Sequence, residues 1–279
     1  RLPISVTHGN HIWSSDRHRT ESLSKLKKVT VLNDFDVKPI SEFKAKDVYS
    51  IIDFLEDKVS NSTINRYLAC LSSVFKHAVA LEELERTPQV KWKRETNRRN
   101  RFFSDEEYAK LLKFFRHYPK VAWMSDFVDL AVQSGMRRGE ILSINNPSSK
   151  TQGTLSEDGR FVHLSQCKNN DSRVVSLTTT AREALARLEN QPYKFWSHRN
   201  FYDYWALARD EIAPGDTSFC FHTARHTTAT NLILKHGIAP LAVATCLGHK
   251  SLQTTKKYVA DDKENQMNIM MKLDRKGVA

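Results

Sequence analysis

Residues 91–101, KWKRETNRRNR, set the main constraint on how this chain can fold. The run holds six basic residues and one acid, and it has no apolar period. A packed core cannot absorb such a stretch, so it is predicted to link two separately folded parts. At 279 residues the chain is long enough for each part to bury a core of its own. The expected division is a leader or upstream linker over 1–19, a helical domain over 20–90, a basic linker over 91–102, a second domain over 103–264 and a tail over 265–279.

The residues before the linker carry a helical period. Residues 1–19 are polar, include three His and lack periodicity. From Thr20 onward, Leu23, Leu26 and Val29 recur beside Lys25, Lys27 and Lys28. A second helix is predicted over 41–56, with Val48, Ile51, Ile52 and Leu55 as its stripe. The third stripe, Ile64, Leu68, Leu71, Phe75, Ala78 and Val79, leaves Asn65, Arg66, Ser73, Lys76 and His77 off the apolar face.

Beyond the linker, Ser104 and Glu107 have the spacing of a capping box. Helical residues run through Leu111–Phe115 and Phe127–Val132, break at Gly135 and resume from Arg137 to Ile144. The period then changes. Phe161–Leu164 and Arg173–Leu177 read as strands joined by a turn, KNNDS, at 168–172. Helices are predicted again from Thr180, over 201–212, over 223–236 up to the stop at Gly237, over 240–247 and over 252–259. The expected class is mainly α with a small β-sheet.

Lys and Arg number 43 against 32 Asp and Glu, a formal charge of +11 that suits a chain meeting a polyanion. A basic linker between two domains suits a chain wrapped around a duplex. No apolar run approaches the roughly 18 residues needed to span a bilayer, and no secretory signal is visible. The four Cys lie far apart and form no C-x-x-C pair, which fits a reducing compartment. The chain opens on Arg1 rather than Met, so a longer protein is expected.

Three short segments carry the chemistry. In FHTARHTTAT (221–230), His222, Arg225 and His226 share one helix face. Arg presents a fork of donors that matches two phosphate oxygens, and His can move a proton near neutral pH. In SGMRRGEIL (134–142), Arg137 follows the break at Gly135, and Glu140 could hold it, although an ordinary surface pair has the same spacing. In LGHKSLQTTKKYVA (247–260), His249 follows Gly248 and precedes Tyr258, which by itself would also read as half-buried packing.

In order, Arg137, Lys168 in a strand-turn-strand, His222-x-x-Arg225, Gly248-His249 and Tyr258 resemble the tyrosine recombinase family, of the phage-integrase type, over residues 20–262. The resemblance implies an N-terminal helical core-binding domain (SAM-like) whose residues 62–75 face DNA, followed by an α+β catalytic domain. The chain departs from the family's pattern at 145–159, which lacks the usual Trp/Asp-bearing turn. It departs again beside Lys168, where Asn replaces the more usual Lys-Thr pair; Lys150 and Lys194 fit that role worse.

The resemblance implies a site-specific recombinase that integrates or excises a mobile element. Tyr258 would be the nucleophile, His222 its proton acceptor, and Arg137 and Arg225 the grip on the non-bridging oxygens. Lys168 would protonate the leaving 5′-oxygen, His249 would hydrogen-bond the phosphate, and Glu140 would support Arg137. Arg66, Lys76, Lys91, Lys93, Arg94, Arg98, Arg99 and Arg101 are the candidate DNA contacts. No H-x-H or paired-carboxylate cluster accompanies these motifs, so no metal or other cofactor is expected. The implied partners are double-stranded DNA, a homo-tetramer during strand exchange and accessory DNA-bending proteins, with no membrane, in the cytoplasm of a bacterial host. The amphipathic 265–273 segment is a candidate for docking on a neighbouring protomer, the alternatives being that it packs on its own domain or frays. An arm-binding domain upstream of Arg1 would match larger integrases. A type IB topoisomerase-like enzyme and a non-catalytic DNA-binding regulator stay open as rivals.

Overall fold

The computed structural model describes residues 9–13, 15–30, 38–95, 101–165, 172–190 and 201–248. It divides into two compact units, Arg1–Arg98 and Arg99–Ala279, and the division falls inside the basic run.

The first unit is helical: α1 (Gly9–Ile12), α2 (Asp16–Thr30), a 3₁₀ turn at Ile40–Glu42, α3 (Ala45–Leu55) and α4 (Asn61–Ala80). The stripes read from the sequence form its core. Val48, Ile51, Ile52 and Leu55 of α3 and Ile64, Leu68, Leu71, Phe75 and Ala78 of α4 are all buried. Tyr67, Cys70 and Val74 are buried too, because α4 is packed on more than one side. Ser60 caps it, its hydroxyl accepting from the Thr63 amide.

Two expectations are corrected in this unit. Residues 9–19 are not merely a leader, since they contribute α1 and the start of α2, and Trp13 is only 4% exposed. The His11 ring stacks at 6.4 Å on His77 of α4. One large aromatic among polar residues makes no period, yet it buries enough apolar area to anchor the segment. The start of the predicted 91–102 linker is likewise held against the helical unit. Asn61 donates to the Arg94 carbonyl at 2.9 Å, and Asn65 exchanges two 2.9 Å bonds with the Lys93 backbone. Asn65 therefore lies buried, against its placement on the polar side of the helix.

The second unit begins with α5 (Asp105–His117), α6 (Trp123–Ser134) and the short α7 (Arg138–Ile141). The predicted capping box is present: the Glu107 amide donates to Ser104 Oγ at 3.1 Å and the Ser104 amide to Glu107 Oε2 at 2.9 Å. Trp123 through Val132 are all buried, making α6 the central helix. Next come β1 (Gln152–Leu155), β2 (Phe161–Ser165) and β3 (Arg173–Ser176), antiparallel in the order β1-β2-β3. β1 was not predicted: Gln152-Gly153-Thr154-Leu155 has a single β-branched residue, and its pairing with β2 supplies what propensity lacks.

α8 (Thr179–Glu189), α9 (Phe201–Ile212), α10 (His222–Thr230) and α11 (Pro240–Leu247) complete the described chain. The helix predicted to run to His236 changes after Thr230 into a π-helical turn, Asn231–Lys235. Phe127, Phe201, Trp205, Phe219 and Phe221 interlock with ring centroids 4.9–6.4 Å from neighbours, and this cluster backs the start of α10. The predicted 252–259 helix, the 265–279 tail and most of the 168–172 turn lie outside the described residues.

Candidate active site

The site is built where α6 ends. Gly135 closes that helix with φ +64°, a left-handed conformation that other residues adopt at a cost. Its side-chain space is also taken, since an added Cβ would lie 2.3 Å from Leu247 Cδ2. The sharp turn leads through Met136 to Arg137, which caps α7 in an extended conformation. Glu140, one turn on, reaches back: its carboxylate accepts from the Arg137 amide at 2.8 Å and from Arg137 Nη1 at 2.7 Å.

Arg225 comes from α10, far from Arg137 in the sequence. It is only 3% exposed. Its Nη1 donates to the Gly135 carbonyl at 2.7 Å, and its Nη2 donates to the Leu247 carbonyl at the end of α11. Arg225 thus joins three elements, and its guanidinium is fixed against the turn that presents Arg137. The last carbonyls of α11 carry the negative end of that helix's dipole, which suits a guanidinium. On the same face of α10, the rings of His222 and His226 meet edge to face at 4.9 Å, with His222 exposed.

A residue not singled out by motif completes the cluster. Arg173, at the start of β3, donates from Nη2 to Glu140 Oε2 at 2.6 Å and from Nη1 to the Cys246 carbonyl at 3.1 Å. The one available signal was alternation, because Arg173 is in phase with the buried Val175 and so points to the covered face of the strand. Burial alone would raise the Glu140 carboxyl. The charge of Arg173, the Arg137 amide and the bonds from both guanidiniums outweigh it and hold the group below its ordinary value of 4.5. Arg137 and Arg173 share the one Glu140 carboxylate, and Arg225 is tied to backbone carbonyls, so positive charge is in excess at this turn, as an anion site requires.

Lys168, His249 and Tyr258 lie outside the described residues, as do Arg98 and Arg99. Arg66 and Lys76 are exposed on α4, and Lys91 and Arg94 are exposed on the segment tied to it. Lys93 pairs with Glu56. Arg101 is engaged within its own unit. Nε donates to Asp216 at 2.9 Å, Nη1 to Glu107 at 2.8 Å, and the guanidinium lies 5.3 Å from the Phe219 ring centroid. Those two carboxylates compete with any phosphate for Arg101, which here braces the start of α5.

Comparison with known proteins gives the family and the fold. Residues 101–265 match the model of the phage integrase family, and residues 6–95 match that of the phage integrase central domain. A tyrosine recombinase of Pseudothermotoga lettingae is 25% identical over 263 residues, covering 88% of this chain and 86% of the relative. One from Thermosipho africanus is 24% identical over 275 residues, covering 92% and 94%. Among solved structures, the Tn1549 transposon integrase in complex with a circular intermediate DNA superposes with a TM-score of 0.74 at 16% identity, covering 96% of this chain and 98% of that one. A lambda integrase dimer bound to a core site gives 0.66 at 17% identity, covering 89% and 90%.

Proposed function

The chain belongs to the phage integrase family, and from that premise we propose how its residues divide the work of cutting and rejoining DNA. It is a site-specific DNA recombinase that acts through a covalent 3′-phosphotyrosyl intermediate. A phosphodiester is a charged, poor electrophile, and joining the phosphate to the enzyme conserves the bond for religation. In our reading the Tyr258 oxygen attacks phosphorus, the bond to the 5′-oxygen breaks, and that oxygen leaves as a hydroxyl. His222 takes the phenol proton, Lys168 supplies the proton for the leaving oxygen, and His249 hydrogen-bonds the phosphate. Arg137 and Arg225 meet the charge that builds on the non-bridging oxygens, where loss of one such donor typically costs about 3 kcal/mol.

The observation that carries this reading is the bond from Arg225 to Gly135, two residues before Arg137. Arginines far apart in sequence are held at one turn, with Glu140 bracing Arg137. A phosphate would meet donors that are already oriented.

We further propose that Arg66, Lys76, Lys91, Lys93 and Arg94 supply phosphate contacts and that the active assembly is a homo-tetramer on two duplexes, aided by DNA-bending proteins. We place its activity on DNA in the bacterial cytoplasm; among the described residues no helix is long and apolar enough to cross a membrane. The test is a nicked duplex whose cut fragment diffuses away, so that the covalent complex accumulates on a denaturing gel. The wild type should be trapped and Tyr258→Phe should bind the duplex without an adduct. An adduct from Tyr258→Phe would remove Tyr258 from the mechanism.

A further inference from the structure

We propose that Arg173 is a positioning residue for cleavage, acting through Glu140 on Arg137 and through the end of α11 on the chain entering His249. This rests on the division of roles given above and adds a residue to it. Both terminal nitrogens are committed: Nη2 to Glu140 at 2.6 Å and Nη1 to the Cys246 carbonyl at 3.1 Å. The side chain is 14% exposed and its Nε is buried without a hydrogen-bond partner. Desolvating a guanidinium so far is unfavourable unless its partners fix it, and these two do.

The stem matters as well as the charge. Gly248 is left-handed at φ +66°, and a Cβ there would come within 2.8 Å of Arg173 Cδ. The arginine stem therefore occupies the space a side chain at 248 would need, and it sets how closely the turn before His249 approaches β3. Arg173 opens β3, five residues after Lys168 in the sequence. One side chain thus ties the support of Arg137 to the end of α11. Lysine cannot do the same, because a single ammonium lacks the planar fork that spans a carboxylate and a carbonyl at once. Glu140, moreover, offers one oxygen to the Arg137 side chain and the other to both the Arg137 amide and Arg173. Without Arg173 that second oxygen keeps only the Arg137 amide, and the carboxylate that orients the Arg137 side chain is held less firmly.

The test compares cleavage of two duplexes by Arg173→Gln and Arg173→Lys. One carries the natural scissile phosphate; in the other a methyl group replaces a non-bridging oxygen. The neutral phosphonate needs less help from guanidinium groups. Arg173→Gln should keep its affinity for duplex DNA and cleave the natural site about a hundredfold more slowly, the scale of an ångström misplacement. The loss should be clearly smaller on the methylphosphonate. Arg173→Lys, which keeps the charge and the fold, should show the same pattern more mildly. Equal losses on both substrates, as a general folding fault produces, would overturn the inference, and so would wild-type rates in both variants. Absence of any adduct from the wild type would instead refute the assigned chemistry.

Discussion

Glu140→Gln isolates the carboxylate that holds the site together. Three donors converge on it, the Arg137 amide at 2.8 Å, Arg137 Nη1 at 2.7 Å and Arg173 Nη2 at 2.6 Å. The Arg173 pair is well covered, with side chains 14% and 7% exposed. Breaking a buried pair by removing one charge costs about 3–5 kcal/mol, and glutamine, which still accepts one bond, brings this to the low end. Arg137 is 38% exposed, so water screens its share; that share adds only about 0.5 kcal/mol. The sum is about 3.5 kcal/mol, or roughly 7–14 °C in the melting temperature of a unit this size. Cleavage should fall further, by about a hundredfold, because Arg137 loses its orientation.

The same carboxylate gives a pH signature. Its folded pKa lies below the ordinary 4.5, so the unfolded chain takes up the proton first as the solution is acidified. The stabilisation is complete above that ordinary value and is lost as pH falls through the depressed one. Denaturant titrations should show the wild type about 3.5 kcal/mol more stable than Glu140→Gln at pH 7, with the gap narrowing steadily in acid. Equal midpoints at pH 7, or a gap that stays constant in acid, would refute the account of Glu140 as an ionised brace.

Gly135→Ala should destabilise the second unit by about 2 kcal/mol in urea, from the left-handed backbone and the overlap with Leu247. A neutral result would mean that the turn is not under the constraint described. EDTA should leave covalent-complex formation intact, since guanidinium groups supply the positive charge; loss restored by Mg²⁺ would contradict this. Affinity for a cognate duplex should fall steeply with salt, and Arg66→Ala and Lys76→Ala should each reduce the log–log slope by about 0.9. An unchanged slope would remove that residue from the phosphate contacts.

The sequence alone determined what is periodic or local. The α4 stripe, the Ser104–Glu107 box, the break at Gly135, strands β2 and β3 and the limits of α11 were all readable, because each depends on residues within a few positions of one another. The family order of Arg137, His222 and Arg225 was readable for the same reason, as short words in a string. Tertiary structure decided the rest. Trp13, Asn65 and β1 acquire their places from partners far along the chain, and local pattern carries no record of such partners. Arg101 and Arg173 look alike in the sequence, two basic residues near strand or helix starts. Only folding brings Asp216 to one and Glu140 with the Cys246 carbonyl to the other, since a guanidinium's role is set by whichever acceptors lie within 3 Å or so of it.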